Sequence, residues 1–323
     1  MWPFRKKTVA VAEDDQPEIV FDPFLGDAEA RRLSRLLGER DWPAARAIID
    51  NADPAAYGFY VGIASSKQGL PEWIDDAIRT DPDPVLPLLV KGLMAISWAW
   101  EARGSGYANT VSEEAWKVTR QRLTLAENCL DEVVDRDPKN VEALAGLLTL
   151  ANARSKGLDE LTRRYEAVIA VDPVHTDAHW AMLQALCRKW HGSSELMFAF
   201  AREKAAAHPG TALPGLVAAA YLEEWLDNDR DYDYMEGAGI GDEIAAAAHA
   251  SILHPDFRPD PETPRLWNTF AMALSMSDRL TEAEYCFTRI GDTLVTRHPW
   301  SYMGKPGPKY LKWRSWTHTT LNP

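Results

Sequence analysis

The chain has 323 residues, 46% apolar and 26% charged, a balance that excludes wholesale disorder and a length that permits a large buried core. Its formal net charge of −13 is uneven, because residues 300–323 carry Lys305, Lys309, Lys312 and Arg314 without an acidic residue and Arg5, Lys6 and Lys7 open the chain; the remainder stands near about −20, which repels phosphate backbones and argues against nucleic acid as a partner. Cys129, Cys187 and Cys286 are odd in number and lack metal-type spacing, which excludes a disulfide framework and points to free thiols in a reducing compartment, the cytoplasm.

Residues 1–26 are expected to be a flexible N-terminal segment. Met1-Trp2-Pro3-Phe4-Arg5-Lys6-Lys7 runs into Glu13-Asp14-Asp15 without the apolar core of a secretory signal, and three cations with two aromatics give only weak, salt-sensitive attachment to an anionic membrane.

From 27 to 299 the chain reads as helices punctuated by Asp-Pro and His-Pro: Asp53-Pro54, Asp83-Pro84, Asp137-Pro138, Asp172-Pro173, His208-Pro209, His254-Pro255 and His298-Pro299. Proline stops one helix and can start the next. Helix pairs are predicted at 27–52, 54–79, 84–136, 140–171, 175–208, 211–253 and 263–297. The apolar stretch from Val85 to Trp100 is interrupted by Pro87 and Lys91 and falls short of the roughly 20 residues that cross a bilayer, so it is predicted to be a buried helix and no transmembrane segment is expected. An insertion at 103–111 surrounds Gly104 and Gly106, with Thr110 and Glu113 spaced as a capping box for the next helix.

Beyond it the apolar spacing is helical, as in Leu123, Ala126, Leu130 and Val133 and again in Leu158, Leu161, Tyr165 and Val168. Turns are expected at Lys156-Gly157 and His191-Gly192. His175 and His179 would share a helix face as zinc ligands do, but no third ligand is evident, and they read as helix-start residues with ordinary solvent contacts; no metal and no cofactor is expected.

A second insertion, 227–241, alternates Asp227, Asp229, Asp231 and Asp233. Calcium loops need several carboxylates, yet Tyr232 and Ala238 stand where an EF-hand has Gly and Glu, so a solvated acidic loop or a contact for a basic partner is the better reading. Gly237, Gly239 and Gly241 resemble a phosphate loop, but Asp242 and Glu243 would fill the first turn of the following helix and repel an anion.

The C-terminal arm, 300–323, interleaves Tyr310, Trp313 and Trp316 with Lys309, Lys312 and Arg314. Single-strand nucleic-acid binders have this composition, but an arm folding back on an acidic body accounts for it more simply.

The steps from Pro138 to Pro173 and from Pro173 to Pro209 are close to the 34-residue tetratricopeptide period. Trp267, Ala271, Ala283 and Phe287 match the spacing of that superfamily's signature, while Ala145, Thr149 and Leu161 depart from it in the unit from Asn140 to Pro173. The chain thus resembles the tetratricopeptide superfamily, which implies an all-α fold: a right-handed superhelix, or α-solenoid, of about seven helix pairs. More narrowly, Leu186-Cys187-Arg188-Lys189-Trp190-His191-Gly192-Ser193 followed by Met197-Phe198-Ala199-Phe200-Ala201-Arg202 resembles an uncharacterised bacterial family, domain of unknown function 4034, over residues of about 90–300. That likeness implies no known activity.

The expected function is a non-catalytic scaffold holding a peptide or partner protein in its concave face, contacted by Trp180, Lys189, Trp190, His191, Asp229, Asp231 and Asp233. The alternatives are an enzyme whose groups meet from different repeats and a regulator touching nucleic acid through the C-terminal arm.

Overall fold

Short polar side chains set several of the helix starts. Asp27, Asp41, Asp53, Asn140 and Ser193 each accept a hydrogen bond from a backbone N–H two or three residues on, satisfying a donor that the first turn leaves open. The computed structural model describes residues 18–104 and 111–322, and among these every regular element is helical. They form two compact units, one of residues 27–185 and one of residues 18–26 with 186–322.

The first unit contains α1 (Ala28–Gly38), α2 (Trp42–Asp50), α3 (Pro54–Ser65), α4 (Ile74–Thr80), α5 (Val85–Arg103), α6 (Glu113–Arg136), α7 (Val141–Ala153), α8 (Leu158–Ile169) and α9 (Thr176–Ala185). Its odd-numbered helices pack in succession, α1 on α3, α3 on α5, α5 on α7 and α7 on α9. Among the even-numbered helices, α2 touches α1 and α3, α6 touches α5 and α7, and α8 touches α7 and α9. The second unit contains α10 (Ser194–Ala207), α11 (Gly215–Asp227), α12 (Tyr232–Met235), α13 (Ile240–Ala250), α14 (Thr263–Met276), α15 (Leu280–Ile290) and α16 (Pro306–Leu321). There α11 packs on α14 and α14 on α16, with α13 against α11 and α14 and α15 against α14 and α16.

Small residues let these helices approach. A Cβ on Gly92 would stand 2.8 Å from the Leu130 side chain, and one on Gly146 would stand 3.0 Å from it, so Leu130 of α6 fills notches in both α5 and α7. In the second unit Ala271 and Ala283, two of the tetratricopeptide-like positions, are fully buried on the packed helices α14 and α15, and Phe287 is buried with them.

A shared turn joins several successive helices. Arg40, Ser155 and Asp278, none of them glycine, adopt left-handed φ of 50–60° just after α1, α7 and α14. In each case the next residue's N–H reaches a carbonyl five residues back, Asp41 to Leu36, Lys156 to Ala151 and Arg279 to Leu274. This Schellman geometry satisfies carbonyls that a helix end leaves open.

Two sequence expectations change here. The apolar helix continues to Arg103 and has 19 residues, so by length and composition it could cross a bilayer, contrary to the shortfall read from Val85 to Trp100. Ten of its residues are buried, and it packs on α3, α4, α6 and α7. The capping box does not test as drawn, since Thr110 lies outside the described residues; α6 is capped by Ser112, whose hydroxyl accepts from Ala115 N–H. Residues 1–17 also lie outside the described residues, whereas Ile19 is buried beside Gly307.

Candidate binding surface

α11 is apolar almost throughout, and it carries two adjacent carboxylates, Glu223 and Glu224. Neighbours on a helix point about 100° apart, so they meet different partners. Glu223, only 4% exposed, accepts from Lys189 Nζ at 2.6 Å through one oxygen and from Tyr302 O–H at 2.6 Å through the other. Glu224 accepts from Ser194 Oγ at 2.6 Å and pairs with Arg188 at 3.5 Å, while Arg188 also donates to Ser194 at 2.7 Å. The turn from Leu186 to Ser193 is thereby fastened to α11 by both of its cations.

The turn is also closed on itself. Trp190 and Gly192 N–H both donate to the Cys187 carbonyl, and any Cβ on Gly192 would fall 2.1 Å from the Leu186 carbonyl oxygen, so only glycine fits. Beside the exposed Arg188, Lys189 and Glu195, this fixed turn and the start of α10 leave two large apolar side chains outward: Trp190 is 39% exposed and Leu196 48%. His191 is half-buried, and its Nε2 is buried without a hydrogen-bond partner among the described residues.

The groups beside Glu223 are held in their protonated forms. Burial, reinforced by the Glu223 charge, pushes the Cys187 thiol up to about 12, and its sulfur sits 3.4 Å from Met197 Sδ. Burial and then Glu223 raise the Tyr302 phenol, which therefore stays a hydrogen-bond donor. A thiol so placed is not a nucleophile at neutral pH. Burial likewise raises Cys129 and Cys286.

The other residues marked in the sequence are dispersed. Trp180 lies half-buried on α9, in the first unit. Asp229, Asp231 and Asp233 are exposed. Asp229 and Arg230 have left-handed φ of 53° and 59°, and Asp231 caps α12 by accepting from Asp233 N–H, so the alternation belongs to a turn and a cap. No group of three metal-ligating side chains occurs among the described residues. Gly239 has a left-handed φ of 84°, and Gly241 is buried where a Cβ would lie 2.6 Å from the Ser277 carbonyl.

His175 and His179 are buried, not solvated as the sequence reading has them. His175 Nδ1 accepts from Ala178 N–H at the start of α9, and His179 Nδ1 meets the His175 carbonyl at 2.9 Å. Burial works to lower the His175 pKa, but Glu142, 3.4 Å from Nε2, outweighs it and the net shift is upward.

Residues 306–321 of the C-terminal segment form α16, packed on α14 and α15. Trp313 is 3% exposed and donates Nε1–H to Met303 Sδ at 3.0 Å, with Trp316 edge-on to it at 5.3 Å. Arg314 pairs with Asp292 at 2.7 Å and donates to the Gly291 carbonyl at 3.0 Å. Lys312 is exposed and Lys309 half-buried.

Sequence reasoning missed Glu223, Glu224 and Tyr302. The first two were visible as a charged pair inside the apolar run from Leu216 to Trp225. Tyr302 gives no such signal, because its bond to Glu223 spans 79 positions. No family model matches the sequence, and no curated protein matches it.

Proposed function

We propose that the chain is a non-catalytic protein-interaction scaffold, a tetratricopeptide-like right-handed superhelix of about seven helix pairs that binds a partner protein or peptide. The observation that carries this reading is the turn from Leu186 to Ser193: two ion pairs to α11 hold it, and it presents Trp190 to solvent near the exposed Leu196. A large aromatic on a rigid, pre-ordered turn is the kind of residue that anchors a protein interface, since little conformational freedom is lost on binding. The succession of neighbouring helices within each unit and the recurring turn at Arg40, Ser155 and Asp278 support the repeat architecture. The same turn contains most of the likeness to the uncharacterised bacterial family, domain of unknown function 4034, so the proposed surface lies where that resemblance is densest.

The test is affinity capture from native lysate with the tagged full-length protein and with Trp190→Ala and Leu196→Ser variants, at low and moderate salt. A stoichiometric protein retained by the wild type and lost from Trp190→Ala is the expected result. Retention of only a small molecule, or equal capture of the same protein by both variants, would overturn the proposal. A truncation at residue 299 is unsuited to this purpose because it removes the buried Trp300, Tyr310 and Trp313.

A further inference from the structure

A groove of about 500 Å³ lies in the first unit between α6 and the turn that joins α7 to α8. Trp116 and Leu123 of α6 and Ala153 of α7 line it with apolar surface, and Arg120, Arg154 and Lys156 line it with cations. The three cations are not equivalent. Arg154 is oriented, with Nη1 on Glu127 at 2.6 Å and Nη2 on Thr124 Oγ1 at 3.2 Å. Arg120 and Lys156 are exposed and make no side-chain hydrogen bond or ion pair among the described residues. Lys156 follows Ser155, the left-handed residue of the recurring turn, so the backbone fixes where its side chain leaves α7.

Arg154 is matched by Glu127 and by the nearby Asp131, which leaves Arg120 and Lys156 as about two unmatched positive charges lining the groove, on a chain whose net charge is −13. A single carboxylate would leave one of these charges unmatched. A phosphate monoester carries about −1.5 to −2 at neutral pH and three terminal oxygens, enough to engage a guanidinium bidentately and an ammonium at once. Trp116 and Leu123 offer contact for the carbon side of such an ester. We infer that this groove binds a phosphate monoester bearing an apolar or aromatic substituent. The site is independent of the Trp190 surface and does not rest on the scaffold reading.

Isothermal titration of the full-length protein tests it with phenyl phosphate and with a phosphotyrosyl peptide, against benzoate and inorganic phosphate as controls. Saturable one-to-one binding of at least one ester is expected, with benzoate and the Arg120→Gln/Lys156→Gln double variant each weaker by about tenfold or more. Both substituted side chains are exposed, and circular dichroism checks that the variant remains folded. Binding of the peptide but not of phenyl phosphate assigns the ester to a phosphorylated chain, and equal binding of both shows that a small ester suffices; either supports the site. Absence of saturable binding by both esters, binding unchanged in the double variant, or inorganic phosphate binding as tightly as phenyl phosphate would overturn it, the last meaning an adventitious ion only.

Discussion

Asp81 illustrates how one buried charge can fix a corner of the first unit. Its side chain is 2% exposed, and it receives Trp42 Nε1–H at 2.6 Å, the Arg46 guanidinium and the Asp83 N–H. Burial would raise its pKa, but the Arg46 and Trp42 hydrogen bonds outweigh burial and the net shift is downward. A carboxylate with a depressed folded pKa stabilises the fold fully above its unfolded value of about 4, and that contribution is lost as pH falls through the folded value. Asp81→Asn, which leaves Arg46 short of its most buried partner, is expected to cost about 2–4 kcal/mol at pH 7. Urea denaturation from pH 7 to pH 2 should show the gap between wild type and variant constant down to about pH 5 and narrowing below it. A gap independent of pH would mean that packing, not charge, is what Asp81 contributes.

Helix existence was legible because it rests on local chemistry. Proline after Asp or His, caps from Asp and Asn, and apolar spacing near 3.6 all act within a few residues, and each of the intervals from 27–52 to 263–297 contains helices at both of its ends. Turn chemistry was less legible. Gly157 marks one turn in the sequence, but the left-handed position at the end of α7 is Ser155, and the matching positions Arg40 and Asp278 carry no glycine either. A side chain there is strained by roughly 1 kcal/mol. Ser155→Gly is therefore expected to stabilise the protein by about 0.5–1 kcal/mol in urea denaturation, the relief of strain exceeding the added entropy of the unfolded chain; destabilisation would show that the serine side chain compensates for its backbone. Packing partners were not legible at all. Nothing in the spacing of Gly92, Leu130 and Gly146 says that the leucine enters both glycine notches, yet Leu130→Ala should empty them and cost about 2–5 kcal/mol by the same measurement.

Across the whole molecule, proline punctuation, helical spacing and the tetratricopeptide likeness pointed to the all-helical class, while charge counted along the sequence did not show which cations are paired. The C-terminal residues expected to fold back on an acidic body form α16, where Arg314 pairs with Asp292 and the interleaved Tyr310 and Trp313 are buried. Lys189, marked as a partner's contact, and its neighbour Arg188 are bound to carboxylates of their own unit. A pairing across tens of residues leaves no periodic trace, so a cation's availability cannot be read from its exposure class in a sequence. The same blindness applied in reverse to Arg120 and Lys156, which stood in an acidic chain without any motif around them and are free among the described residues.

The hydrogen bond from Tyr302 to Glu223 has a mechanical meaning as well. Where helices touch only their neighbours, a chain pulled from one end should come apart helix by helix, as a zip opens. Glu223 joins α11 to a residue 79 positions later, so the turn before α16 is clasped to a helix far back in its own unit's sequence. Stretched in an optical trap from its C-terminus, the second unit should resist until that clasp releases, and then lengthen by more than a single helix in one step. In Tyr302→Phe the first release should come at lower force and be shorter, turning one large event into a staircase.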